Sequence, residues 1–139
     1  MNMENNERIK RVLTVGVYDL LHIGHIKLFQ HIKEIGQVYL IVAVQDSDFV
    51  RKYKPEANLV YNSEDRLYMV KAIRFVDEVI KYKSVDSIVR EVDFDVLATG
   101  PDQNHEGFQN AIKWCREHGK ETIVIPRTEG ISSSMLKSQ

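Results

Sequence analysis

Five short apolar runs alternate with five helical patterns along this chain, and that alternation narrows the folds open to it. The apolar runs lie at 12–17, 38–44, 78–80, 96–99 and 122–125. The helical patterns fall at about 25–35, 46–53, 63–75, 84–91 and 106–118. Strands that alternate with helices predict a parallel sheet covered on both faces. The stretch Tyr39-Leu40-Ile41-Val42-Ala43-Val44 is apolar without a break, as a strand buried on both sides is. The expected class is α/β: a doubly wound parallel sheet of about five strands with helices on both faces. Ligands of such sheets bind at the carboxyl ends of the strands, near the point where the strand order reverses. Segments 16–25, 45–48, 100–102 and 127–134 each follow a strand and are the candidate site segments.

A length of 139 residues predicts one domain spanning 1–139, with residues 1–8 expected as a flexible extension. The polar stretch from Met1 to Lys10 lacks the apolar centre of a secretory signal. The sequence also holds no apolar run of the ~18 residues that suggest a membrane span. A cytoplasmic location is the expectation. The single cysteine, Cys115, rules out an intrachain disulfide framework and a cysteine-cluster metal site. It falls within the apolar pattern Phe108, Ala111, Ile112, Trp114, so a core role is expected. A formal charge of −1 argues against bulk attraction to nucleic acid and leaves room for a local positive pocket.

Gly16-Val17-Tyr18-Asp19-Leu20-Leu21-His22-Ile23-Gly24-His25 carries the chemistry. It joins a strand to a helix and sets two histidines three residues apart at the helix start. Residues at that spacing share a face. Backbone N–H groups there lack intrahelical partners and carry partial positive charge. A strand, a glycine turn, paired imidazoles and a helix N-terminus together predict a polyphosphate site. Gly16 permits the tight exit from the strand, and Gly24 lets backbone approach a phosphate. Asp19 is a candidate to accept backbone N–H bonds and hold the turn. Lys27, just inside the helix, is either a ligand contact or a solvated lysine.

The chain resembles the cytidylyltransferases of the nucleotidyltransferase superfamily that carries the HxGH motif, most of all the bacterial glycerol-3-phosphate cytidylyltransferases. Two blocks carry the resemblance, 16–25 and Arg127-Thr128-Glu129-Gly130-Ile131-Ser132-Ser133-Ser134, and similar spacing runs between them. It implies a Rossmann-like fold, CTP as nucleotide donor, Mg²⁺ with the triphosphate, a homodimer, and His22, His25, Arg127 and Lys54 as catalytic residues. Gly16, Val17, Tyr18, Gly24, Asp102, Thr128, Gly130, Ile131, Ser132 and Ser133 are implied at the nucleotide. Arg66, Arg74, Asp48, Asp77 and Gln103 are implied at the acceptor, with Arg74 and Asp77 at that site or at the subunit interface. Lys52 adds positive charge in the irregular stretch 52–63, whose Tyr53 and Tyr61 suit a loop over a site.

The chain departs from that family in two places. Gln45-Asp46-Ser47-Asp48 leaves two candidate acids where the family has a serine or threonine followed by aspartate. Gly100-Pro101-Asp102-Gln103-Asn104-His105-Glu106-Gly107 keeps the second acid of a G-D-D-W-like segment and lacks its tryptophan. Gln103 and His105 are there as acceptor contacts or as loop polar groups.

The mechanism that follows needs no general base. A phosphomonoester acceptor is already largely dianionic at neutral pH, its second pKa being ~6. What remains for the protein is positioning and charge neutralisation. Mg²⁺ suits this because few protein ligands hold it, so no dedicated metal cage is expected. The expected reaction joins CTP and an alcohol phosphate into a CDP-alcohol and pyrophosphate, with polysaccharide biosynthesis as the family-level context. The rivals are an adenylyltransferase for a sugar or flavin phosphate and a non-catalytic nucleotide-binding regulator. Neither a nucleic acid nor a membrane is expected as a partner.

Overall fold

The apolar runs become the strands of a single parallel sheet. In the computed structural model, which describes residues 8–56 and 58–126, the strands are β1 (Lys10–Gly16), β2 (Val38–Gln45), β3 (Glu78–Tyr82), β4 (Val96–Thr99) and β5 (Glu121–Val124). The helices between them are α1 (Ile23–Lys33), α2 (Ser47–Tyr53), α3 (Ser63–Lys71), α4 (Val85–Glu91) and α5 (Glu106–Glu117). The strand order is β3-β2-β1-β4-β5, and every neighbouring pair is parallel. The chain starts at the central strand, steps outward through β2 and β3, then returns past β1 to lay down β4 and β5. The order therefore reverses between β1 and β4, where a crevice opens at the carboxyl ends of the strands.

Strand periodicity sorts the apolar side chains onto two faces. On one, Val12, Leu40, Val42, Val44, Val96 and Ala98 pack against Phe29 and Ile32 of α1 and Val70 of α3. On the other, Leu13, Val15, Ile41, Ala43 and Leu97 meet Val85, Ile88 and Val89 of α4 and Phe108, Ala111 and Cys115 of α5. Two apolar faces on one sheet explain why the strands read as unbroken hydrophobic runs. Each fully buried side chain such as Phe29 or Leu13 contributes roughly 1.5–3 kcal/mol. Cys115 is buried as a core residue.

One helix is shorter than its pattern. The periodicity predicts helix to residue 75, and α3 stops at Lys71 with Ala72 as its C-cap. Ile73, Phe75 and Val76 still pack against the core, from a turn. That turn lets Asp77 accept from the Leu40 N–H at 2.7 Å and pair with Lys33 at 2.6 Å. Long-range bonds to the start of β2 thus override a local helical preference. Of the expected N-terminal extension, only Arg8 falls within the described residues.

Candidate active site

The loop from β1 to α1 is built around an aromatic side chain in an uncommon backbone state. Among the described residues Tyr18 is the one non-glycine with positive φ, at 56°. That conformation folds its ring back over the end of β1, where a Cβ on Gly16 would meet the ring at 2.7 Å. Only glycine leaves room there. The ring also lies edge-on to His25, with centroids 5.3 Å apart, and beside Phe29 at 5.6 Å. Its hydroxyl is buried without a hydrogen-bond partner. Thr14, close by, donates its own proton to the Ala98 carbonyl at 2.9 Å. Burial pushes the Tyr18 phenol far above its ordinary pKa, so it stays neutral.

The two histidines begin α1 as a reciprocal capping pair. His22 is the N-cap, and its Nδ1 accepts from the Gly24 N–H at 3.0 Å. His25, three residues on, accepts from the His22 N–H through its own Nδ1 at 3.2 Å. This is a capping box made of imidazoles. The two rings stack with centroids 3.9 Å apart. Since each Nδ1 is an acceptor, each neutral ring carries its proton on Nε2. The backbone therefore fixes the tautomer, and among the described residues neither Nε2–H has a hydrogen-bond partner. Burial, reinforced by the neighbouring His22, lowers the pKa of His25 to about 4. Burial also lowers that of His22. The pair is neutral at pH 7, so it stacks without charge repulsion and donates as uncharged imidazole.

Arg66 is fully buried, and all five of its N–H donors are used inside the protein. Nε donates to the Tyr61 carbonyl at 3.2 Å. Nη1 donates to the carbonyls of Val17 and Gln45 at 2.9 and 2.7 Å. Nη2 donates to the Ser47 and Ser63 hydroxyl oxygens at 2.6 and 3.4 Å. Burial pulls the guanidinium pKa down, and the Asp19 and Asp46 carboxylates counter it. Arg66 therefore braces the carboxyl ends of β1 and β2 from beneath, where a direct contact to the acceptor was expected.

Other expected contacts hold backbone in the same way. Gln103 accepts from the Gly100 N–H at 2.9 Å and donates to the Val15 carbonyl at 2.8 Å, which ties the end of β4 to β1. Asp46 caps α2 by accepting from the Asp48 N–H at 3.2 Å. Asp48 is exposed beside Arg51. Asp19 is 3% exposed and accepts from the Val60 and Tyr61 N–H groups, so it holds a loop distant in sequence. Nothing local in the sequence announced that reach, nor the parts of Ser47 and Ser63. His105 caps α5, its Nδ1 accepting from the Gly107 N–H at 3.1 Å. Lys27, Lys54 and Asp102 are exposed, and the Lys52 ammonium lies 5.2 Å from the Phe49 ring centre.

Two acceptor candidates stand elsewhere. Asp77 binds the start of β2 and Arg74 lies in the turn before β3. Both are at the amino end of the sheet, opposite the histidines, because every strand runs the same way. Within one chain neither is beside the paired imidazoles. Arg127, Thr128, Gly130, Ile131, Ser132 and Ser133, with the helix expected to follow them, lie outside the described residues. A cavity of about 670 Å³ is also at the amino end. Its charges are matched there, Arg8 with Asp95 and Lys10 with Glu121, so it lacks the free, convergent donors of the histidine end. Among the described residues no group of three or more His, Cys, Asp or Glu can hold a metal ion, and no helix is long and apolar enough to cross a membrane.

Comparison with known proteins follows the same lines. The family described as cytidylyltransferase-like matches residues 13–139. The chain is 39% identical over 135 residues to the glycerol-3-phosphate cytidylyltransferase of Staphylococcus aureus, covering 94% of this chain and 95% of that one. It is 36% identical over 131 residues to the FAD synthase of Thermococcus kodakarensis, covering 89% and 85%. Among solved structures it is similar to the lipopolysaccharide core biosynthesis protein of Thermoplasma volcanium, with a TM-score of 0.70 at 26% identity, covering 86% and 96%.

Proposed function

The chain belongs to the cytidylyltransferase-like family of nucleotidyltransferases, and from that membership we propose that it transfers CMP from CTP to a small alcohol phosphate, glycerol 3-phosphate or a related polyol phosphate. The observation that carries the reading is the imidazole capping box. Two neutral rings, fixed as Nε2–H tautomers, stand at a helix N-terminus and at the carboxyl end of the central strand. Such donors suit triphosphate oxygens that gain charge as pyrophosphate leaves. An acceptor phosphate oxygen attacks the α-phosphorus of CTP. The new P–O bond forms as the bond from the α-phosphorus to the bridging oxygen breaks, and that oxygen leaves with pyrophosphate. The acceptor is already a dianion, so no residue need take a proton. His22 and His25 hold the α- and β-phosphate oxygens. Lys54 and Arg127 offset the repulsion between the two anions.

Among the described residues the donor set at the site is imidazole and backbone N–H. Mg²⁺ would enter held by the triphosphate, and would there supply charge neutralisation on the leaving group. The 39% identity to the S. aureus enzyme across 94% of the chain supports CTP and a polyol phosphate. A second reading, adenylyl transfer from ATP to flavin mononucleotide, has its own support in the 36% identity to the Thermococcus FAD synthase. The missing tryptophan in 100–107 also favours an acceptor other than glycerol 3-phosphate.

Pyrophosphate release with Mg²⁺ separates the readings. CTP and ATP are each crossed with glycerol 3-phosphate, other polyol phosphates and flavin mononucleotide, with His25→Ala as control. Release with CTP and a polyol phosphate, lost in the variant, supports the main reading. Release with ATP and flavin mononucleotide alone replaces it with the second. Nucleotide binding without release from any pair returns the chain to a non-catalytic role.

A further inference from the structure

The segment joining α2 to α3 is fastened to the histidine loop by two buried side chains. Asp19 accepts from the Val60 N–H at 2.7 Å and from the Tyr61 N–H at 2.9 Å. Arg66 donates to the Tyr61 carbonyl at 3.2 Å. Residue 61 is therefore held on both sides of its Cα, and neither bond uses its side chain. The side chains displayed by this clamp are apolar and open to solvent, Val60 at 52% and Tyr61 at 37% exposure. A connection that only had to cross the surface would gain nothing from this arrangement. Burying a carboxylate and a guanidinium costs on the order of several kcal/mol each before pairing, and exposed apolar groups gain nothing from water. A rigid backbone presenting an aromatic ring beside a reactive loop is how a binding surface is made.

The topology says which substrate meets it. Arg66 also grips the Gln45 carbonyl and the Ser47 hydroxyl, at the end of β2 and the start of α2. The clamp therefore stands on the β2 side of β1, away from the β1–β4 crevice. On the reading above, the nucleotide occupies that crevice, and the phosphomonoester approaches the histidines from the other side. We propose that Tyr61, with Val60 beside it, packs against the carbon skeleton of the acceptor, and that Asp19 and Arg66 are positioning residues acting through it. The ring face covers carbon while cationic groups offset the charge of the acceptor's phosphate.

Steady-state pyrophosphate release, with acceptor and nucleotide varied separately, tests this in Tyr61→Ala and Tyr61→Phe. Tyr61→Ala should raise the acceptor KM about tenfold or more, with nucleotide KM within about twofold of wild type and unfolding temperature unchanged. Tyr61→Phe should restore the acceptor KM, since the ring makes the contact. An unchanged acceptor KM in Tyr61→Ala overturns the proposal. So does a larger change in nucleotide KM, or a Tyr61→Phe variant as impaired as Tyr61→Ala. Because the proposal rests on nucleotidyl transfer, wild type is assayed first. Activity with ATP and flavin mononucleotide alone sinks only the choice of substrates, and the same variants are then judged on the flavin KM. Silence with every pair overturns both.

Discussion

At residue scale, the histidine pair does two jobs that can be pulled apart. Each imidazole caps backbone with Nδ1 and offers Nε2–H outward. His22→Asn keeps a good capping oxygen for the Gly24 N–H and removes the outward donor. Stability should stay within about 1 kcal/mol of wild type, while kcat falls ~10²–10³-fold, as read by urea unfolding and pyrophosphate release. His22→Ala loses both roles and should also destabilise the fold by ~0.5–2 kcal/mol. The pH response follows from the lowered pKa of His25. Its folded value of about 4 lies below the ordinary 6.5, so the unfolded chain takes up the proton first. Stability is full above the ordinary value and is lost as pH falls from about 6.5 toward about 4. Urea titrations across that window should show the slope in wild type and a weaker one in His25→Gln. Tyr18→Phe removes a buried hydroxyl that has no partner and should raise stability by about 1 kcal/mol, seen as a higher Tm. The paired histidines and their glycines were legible in the sequence because they sit within one local motif. Their stacking and shared capping were not, since these depend on χ angles set by the Tyr18 fold-back.

At the scale of elements, periodicity located the five strands and five helices of the described residues, with ends shifted by a few residues. Local pattern is enough where burial is uniform, as along β2. It failed at 72–75, where the bonds of Asp77 to the start of β2 stopped the helix. It also could not see Arg66 as a brace. An arginine on a polar helix reads as an acceptor contact or an exposed charge, and only the meeting of 17, 45, 47, 61 and 63 in space reveals five acceptors around it. Arg66→Lys supplies three donors for those five acceptors. It should destabilise by roughly 3 kcal/mol or more, measured by urea unfolding, even though the charge is kept. An arginine serving only as an exposed contact would tolerate that change.

At the scale of the whole molecule, the parallel sheet separates two ends with different work. The carboxyl end gathers the β1–α1 loop, the β4–α5 loop and the clamp on 61. The amino end holds Asp77 with Lys33 and the matched charges around Asp95 and Glu121. Asp77→Ala should therefore lower stability by about 1–2 kcal/mol and leave kcat/KM per folded molecule within about twofold. A large fall in kcat/KM at unchanged fold would return Asp77 to the acceptor site. The sheet order also puts two helix starts on either side of the β1–β4 crevice, and both carry the tripeptide pattern His-x-Gly. His22-Ile23-Gly24 opens α1 and His105-Glu106-Gly107 opens α5, with the same Nδ1 bond to the glycine N–H. At the third helical position the first has His25 and the second Phe108. The chain thus carries its own reference compound: one capping imidazole facing a second imidazole, and one facing a hydrocarbon ring. A single nitrogen-15 spectrum of the labelled histidines reads both at once, and adding nucleotide shows which of the two rings feels the phosphate.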